Sequence, residues 1–163
     1  MTFLFIYAQI APYHYGKGLN SAYIREAQLQ ASSVISNSGM VSLLDAGEEK
    51  CIHPANKKVA GDRLAYLALS KTYNLKGFPC EGPTLKEMLI MGTESKLTFN
   101  NAPNGLTSFG KELKCFELAG PDKIFYPAQA VITPTGITLI FILSERTFGG
   151  KICFHGFHSW RSF

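Results

Sequence analysis

The hydrophobic pattern of the chain changes character at Gly82-Pro83. Before this point, apolar runs alternate with segments of helical periodicity, in the order strand, helix, strand, helix. The runs Thr2–Ile10 and Gly39–Leu44 are typical of parallel strands buried on both faces. Segments 21–32 and 59–73 predict amphipathic helices. The first half therefore indicates an α/β unit with parallel strands.

From Gly82-Pro83 onward the helical periodicity disappears, and short runs follow one another between turn residues such as Gly, Pro, Asp and Thr. This spacing is typical of an antiparallel β-sandwich piece. We therefore predict an α/β domain over residues 1–80, an incomplete β-sandwich-like domain over 81–143 and a divergent tail over 144–163. The predicted strands are Lys86–Met91, Lys96–Asn100, Lys114–Ala119, Ile124–Ile132 and Ile137–Leu143.

Composition excludes several functions. The 163 residues carry a net charge of only +4, and the Lys and Arg residues are scattered, which argues against a nucleic-acid partner. No apolar run approaches the roughly 18 to 20 residues of a membrane span. The four cysteines show no C-x-x-C spacing, so free thiols are expected, one unassigned disulfide stays open, and neither a metal nor a cofactor is predicted. His155 and His158 form an H-x-x-H pair without a third ligand, which leaves a metal-binding protein as a minor alternative.

The stretch Asp45–Lys57 (DAGEEKCIHPANK) joins the second predicted strand to the second helix. Asp45 falls at the strand end, and Pro54 falls at the first helical position, where its missing N–H costs nothing. His53 is therefore expected at a helix N-terminus, close to the carboxyl ends of the strands, where α/β proteins bind ligands. A purely structural capping role for His53 remains open at this point.

Several blocks in this order resemble the sialate O-acetylesterase family, which comprises SGNH-type serine esterases acting on acetylated sugars. They are QIAPYH (9–14), NSAYIREAQ (20–28), the stretch 45–57 with the following G-x-R-L-A (61–65), Gly82-Pro83 and NAPNGLTSFG (101–110). The resemblance covers roughly residues 3 to 139. It implies a partial three-layer SGNH-like domain followed by a β-rich domain, and it implies an exported enzyme acting on O-acetylated sialic acid or a related sugar.

The resemblance implies that His53, in the I-H-P element, is the catalytic base. SGNH-type enzymes commonly place an aspartate three residues before this histidine, but here that position is Lys50. Asp45 is the preferred acid partner because a strand end is a rigid support, although a turn aspartate explains it equally well. The loop carboxylates Glu48 and Glu49 are the other candidates.

Further residues on the same rim have two interpretations. Gln9 and His14 follow the first strand and are predicted to line the substrate pocket, although packing within the loop explains them as well. Arg25 and Arg63 are expected to be ion-paired scaffold residues rather than substrate ligands.

The family's nucleophile block, a Gly-x-Ser type of turn, has no counterpart in this sequence. Ser21 and Ser38 lie at cap and loop positions and are weak candidates for a nucleophile. We therefore expect the chain to be the C-terminal portion of a larger esterase, with its nucleophile upstream of Met1 and little activity alone. A non-catalytic carbohydrate-binding β-domain that carries an esterase remnant is the alternative.

Overall fold

The computed structural model describes residues 3–16, 21–114, 116–119 and 124–141. The chain divides into two compact units, one running to Gly82 and the other beginning at Pro83. The predicted tail 144–163, with His155 and His158, lies outside the described residues, as do Cys115 and Cys153. No helix in the described ranges is long and apolar enough to cross a bilayer.

The first unit has the predicted order of elements. Strands β1 and β2 pair in parallel, with Phe5 opposite Ser38 and Ala8 opposite Val41. The parallel α/β character of the first half is therefore confirmed. The elements are β1 (Phe5–Ala8), α1 (Ala22–Val34), β2 (Ser38–Val41) and α2 (Lys57–Lys71).

Burial on both faces of these strands was a wrong expectation. No residue of β1 is fully buried, while β2 buries alternate residues, Gly39 and Val41. Helix α2 covers β2 so closely that a Cβ on Gly39 would lie 3.0 Å from Leu67 Cδ2. The described part of the sheet is therefore covered chiefly on the face against which α2 packs.

Helix α1 turns a different face inward from the one its apolar residues predict. Its buried residue is Arg25, whereas Ile24 is 51% exposed. Polar contacts attach the helix to the first strand and the residues after it: Tyr7 Oη donates to Gln28 O at 2.6 Å, and Ile10 N–H donates to Gln28 Oε1 at 2.9 Å. Hydrogen bonds, more than apolar burial, thus join α1 to the sheet.

Helix α2 begins later than Pro54 indicates. The N-cap is Asn56, whose side chain accepts from Val59 N–H at 3.4 Å, so the first helical residue is Lys57. Asparagine is a strong N-cap because its carbonyl satisfies one of the free N–H groups of the first turn. Pro54 therefore precedes the helix instead of opening it, and His53 lies three residues before the cap.

The second unit is an antiparallel sheet in the order β3-β4-β7-β6-β5. All five predicted strands are present, and the described residues between 95 and 140 contain no helix. These residues form one sheet, and the second sheet of a sandwich is not among them. The strands are β3 (Thr84–Met91), β4 (Glu94–Asn100), β5 (Glu117–Ala119), β6 (Phe125–Thr133) and β7 (Gly136–Phe141).

Candidate functional site

The loops that follow β1 and β2 contact each other closely. A Cβ on Gly47 would lie 2.3 Å from Pro12 O, so only glycine allows this approach without a shift of the backbone. His14 N–H donates to Glu49 O at 3.3 Å. Because both strands are parallel, their carboxyl ends and these loops meet at one edge of the sheet. This edge, formed by residues 12–14 and 45–53, is the candidate site.

His53 is an exposed residue in the loop between β2 and α2. Its carbonyl oxygen accepts a hydrogen bond from Cys51 Sγ at 3.2 Å. An exposed imidazole is accessible to a substrate and can exchange protons with it, as general base catalysis requires.

Glu48 anchors the segment that carries His53. Its Oε1 accepts from Ala55 N–H at 2.6 Å, two residues beyond the histidine. A carboxylate that accepts from a backbone N–H forms a short, charge-assisted hydrogen bond. The side chain of the half-buried Glu48 thus ties the end of this loop back to its beginning, next to the Gly47–Pro12 contact.

Asp45 forms a two-pronged ion pair with Arg63 of α2. Arg63 Nη1 lies 2.6 Å from Asp45 Oδ1, and Arg63 Nη2 lies 2.6 Å from Asp45 Oδ2. Nη1 also donates to Ser42 O at 2.7 Å, which joins the helix to the residue after β2. The hydrogen bond to Asp45 raises the pKa of the Arg63 guanidinium, so the arginine stays charged. Arg63 is therefore the ion-paired scaffold residue that the sequence predicts.

Gln9 is a buried connector. It is 6% exposed, its Nε2 donates to Arg25 O at 2.9 Å, and its Oε1 accepts from Ser42 Oγ at 3.2 Å. One amide thus joins the end of β1 to α1 and to the loop after β2. His14, by contrast, is exposed on the candidate site.

Arg25 differs from the ion-paired scaffold residue that the sequence suggests. It is 9% exposed, and its Nη1 donates to Ser21 Oγ. Among the described residues, no carboxylate forms an ion pair with it. Burial lowers the pKa of this guanidinium, and the nearby Tyr15 opposes that effect.

The two serines that could replace a missing nucleophile are engaged locally. Ser21 Oγ accepts the Arg25 N–H, and Ser38 Oγ donates to Ile35 O at 2.8 Å. No hydrogen bond joins either hydroxyl to His53 in the described part of the chain.

The hydrogen bond between Glu48 and Ala55 is a contact of the candidate site that the sequence did not predict. No local sequence pattern indicates a side chain that bonds to a backbone N–H seven residues ahead.

Among the described residues, no group of three or more His, Cys, Asp or Glu side chains is arranged to hold a metal ion. Cys51 and Cys80 are free thiols, as expected. The predicted H-x-x-H pair lies outside the described ranges.

No protein-family profile matches the sequence, and no curated protein matches it. A search of solved structures does find similar folds. One is the crystal structure of a carbohydrate acetylesterase from Xanthomonas citri, with a TM-score of 0.76 and 27% sequence identity. The match covers 85% of this chain and 33% of that one. In fold, the chain is thus similar to about a third of a carbohydrate acetylesterase, in agreement with the sugar-esterase character that the sequence motifs indicate.

Proposed function

We propose that this chain is part of a carbohydrate esterase that removes O-acetyl groups from sialic acid or a related sugar. The observation that carries the proposal is the likeness to a carbohydrate acetylesterase over 85% of the chain. The exposed His53, at the edge of a parallel sheet, supports it. Among carbohydrate esterases, the sequence motifs favour an enzyme that resembles sialate O-acetylesterases. The same resemblance favours an exported protein.

In the proposed reaction, His53 is the general base. It takes the proton of a serine hydroxyl supplied from outside this chain while the serine oxygen attacks the acetyl carbonyl. The resulting imidazolium then returns the proton to the sugar oxygen, which leaves as an alcohol, and an acetyl-serine remains. Water, deprotonated by the same His53, releases acetate and restores the serine.

Asp45 is the proposed acid partner of His53. Arg63 holds both oxygens of this carboxylate, yet each oxygen has a second lone pair with which to accept an imidazole N–H. Glu48, which already anchors Ala55, is the competing candidate. His14 is a proposed substrate contact; Gln9, also a proposed contact, has both ends of its amide engaged and would act mainly by holding the loop after β2 in place.

The test compares this chain with a longer protein that includes the sequence encoded upstream of Met1. Both are assayed with a chromogenic acetyl ester and with O-acetylated sialic acid. We expect turnover from the longer protein and little or none from this chain. His53→Ala in the longer protein should reduce kcat on the order of a millionfold, as removal of a catalytic histidine does in serine hydrolases.

His14→Ala is the matched control, because His14 is a second exposed histidine at the same edge. It should raise KM for the sugar ester and leave hydrolysis of the small chromogenic ester nearly unchanged. The acid partner is then identified by comparing kcat in Asp45→Asn and Glu48→Gln, because only loss of the partner's carboxylate should lower kcat strongly. Arg63→Gln separates the two roles of Asp45, since it removes the ion pair but keeps the carboxylate.

Two results would contradict the proposal. Turnover by this chain alone that persists in His53→Ala would exclude His53 as the base. An inactive longer protein that still binds acetylated sugars would favour the alternative, a carbohydrate-binding accessory domain with an esterase remnant.

A further inference from the structure

The loop between β4 and β5 holds an aromatic residue in an unusual backbone conformation. Phe109 has φ of +50°, in the left-handed region that bulky L-residues rarely adopt. The other non-glycine residues with positive φ in the described ranges are all asparagines, which tolerate this region well: Asn37, Asn74 and Asn101. Phenylalanine at this position is therefore costly to the fold.

The same side chain does not recover that cost by burial. Phe109 is 70% exposed, although most of an aromatic ring's stabilising effect comes from removing it from water. A residue that is both strained and exposed does not help to hold the loop together. Such a combination points to a role in binding.

Hydrogen bonds fix the backbone on both sides of Phe109. Its N–H donates to Thr107 Oγ1 at 3.1 Å, and Lys111 N–H donates to Ser108 O at 3.0 Å. Gly110, with φ of +77°, continues the turn. Because the turn is already ordered, presenting the ring to a ligand costs little conformational entropy.

We propose that Phe109 is a stacking surface for a sugar ring. The face of a phenyl ring is electron-rich and attracts the polarised C–H groups on the apolar face of a pyranose. Asn104 and Thr107, exposed on the same loop, supply amide and hydroxyl groups suited to sugar hydroxyls. The β-rich unit would then bind the glycan that carries the acetyl groups. The choice of a sugar as ligand rests on the proposed function, whereas the binding itself needs no ester cleavage.

The experiment measures retardation of this chain in native gels that contain acetylated xylan or α2,8-linked polysialic acid. Phe109→Gly is the informative variant, since it removes the ring and also relieves the left-handed conformation. We expect the parent chain to be retarded by at least one polymer. Phe109→Gly should bind about fivefold to tenfold more weakly, and Phe109→Trp should retain binding.

Tyr23→Ala is the matched control. Tyr23 is 75% exposed but lies on α1, in the first unit, so its removal should not change retardation. Thermal unfolding of Phe109→Gly should show a midpoint no lower than that of the parent, which establishes that lost binding is not lost folding. Phe109→Asn, which also suits positive φ, replaces the glycine variant if the latter fails to fold.

Two outcomes would overturn the inference: a parent chain retarded by neither polymer, or retardation that is unchanged in Phe109→Gly. The gel assay detects binding alone and does not depend on ester cleavage. If the chain is not retarded but the longer protein still hydrolyses acetyl esters, this inference is refuted and the proposed function is unaffected.

Discussion

Different kinds of interaction stabilise the inside of each of the two units. In the first unit, side-chain hydrogen bonds of Gln9, Gln28 and Arg63 join the loops after β1 and β2 to the helices, and Glu48 closes the second of these loops on itself. In the second unit, backbone ladders and apolar burial dominate the described contacts. The buried apolar residues are Ala11, Val41, Leu43 and Leu67 in the first unit, and Leu97, Phe116, Leu118, Ala119, Ile137, Leu139 and Phe141 in the second.

This difference has consequences for tolerance to mutation. A hydrogen bond depends on distance and angle, so one lost atom can displace the loop that it holds. Apolar packing depends chiefly on volume, and its disruption weakens a whole sheet. Substitutions in the unit with the candidate site should therefore cost less stability and act mainly near the altered contact, whereas truncations in the β-rich unit should weaken its whole sheet.

Leu139→Ala should have the largest effect on stability. Leu139 is fully buried in β7, and its truncation should lower the free energy of unfolding by about 2 to 5 kcal/mol, measured by urea denaturation. Val131→Ala on β6 is the control, because Val131 is 42% exposed and should cost far less. Equal losses in the two variants would contradict the account of this core.

Breaking the Asp45–Arg63 pair should have an intermediate effect. The two side chains are 22% and 32% exposed, so partial screening by water leaves about 1 to 2 kcal/mol lost in either Asp45→Asn or Arg63→Gln. A double-mutant cycle isolates the coupling between them. Lys58→Gln, which disrupts the exposed pair with Asp62, is the comparison and should leave the unfolding midpoint unchanged.

Glu48→Gln should give the smallest and most local change. A neutral amide oxygen accepts the Ala55 N–H more weakly than a carboxylate does, so exchange of the Ala55 amide hydrogen should be about threefold to tenfold faster. Glu49→Gln is the control, because the backbone of Glu49, not its side chain, makes the described contact with His14. Faster exchange throughout the chain would indicate global destabilisation instead of a local role.

Much of the fold follows from local patterns. Apolar runs alternating with helical segments predicted the parallel strands β1 and β2, and short runs between turn residues predicted the five antiparallel strands. The observed hairpin turns at 92–93 and 134–135 lie within the turn segments 92–95 and 133–136 that separate the predicted strands. The positions of strands, helices and turns depend on residues that are close in the sequence, which is why local patterns predict them; the pairing of β4 with β7 joins distant residues and was not predicted.

The details that sequence reasoning missed depend on contacts between distant residues. Arg25 is buried in place of Ile24 because two hydrogen bonds hold it. Ser21 Oγ accepts a hydrogen bond from the Arg25 guanidinium, and Gln9 Nε2 donates to the Arg25 carbonyl oxygen. The start of α2 was misplaced because Pro54 and Asn56 are both good start signals, and the cap at Asn56 prevailed. Arg63, eighteen residues after Asp45, was not identified as its partner because no spacing rule connects them.

The close approach of Gly47 to Pro12 also determines how wide the candidate site can be. The atoms of Pro12 nearest to a Cβ at position 47 are its backbone O and N and its ring Cδ, so direct contact between Gly47 and Pro12 fixes the spacing between the two loops. Substitutions at His14 or His53 would change the chemistry of this edge but not its width. Any side chain at position 47 would clash with Pro12 and would therefore increase the distance between the loops. Selection for larger or smaller ligands would therefore act most directly on a residue that has no side chain with which to contact them.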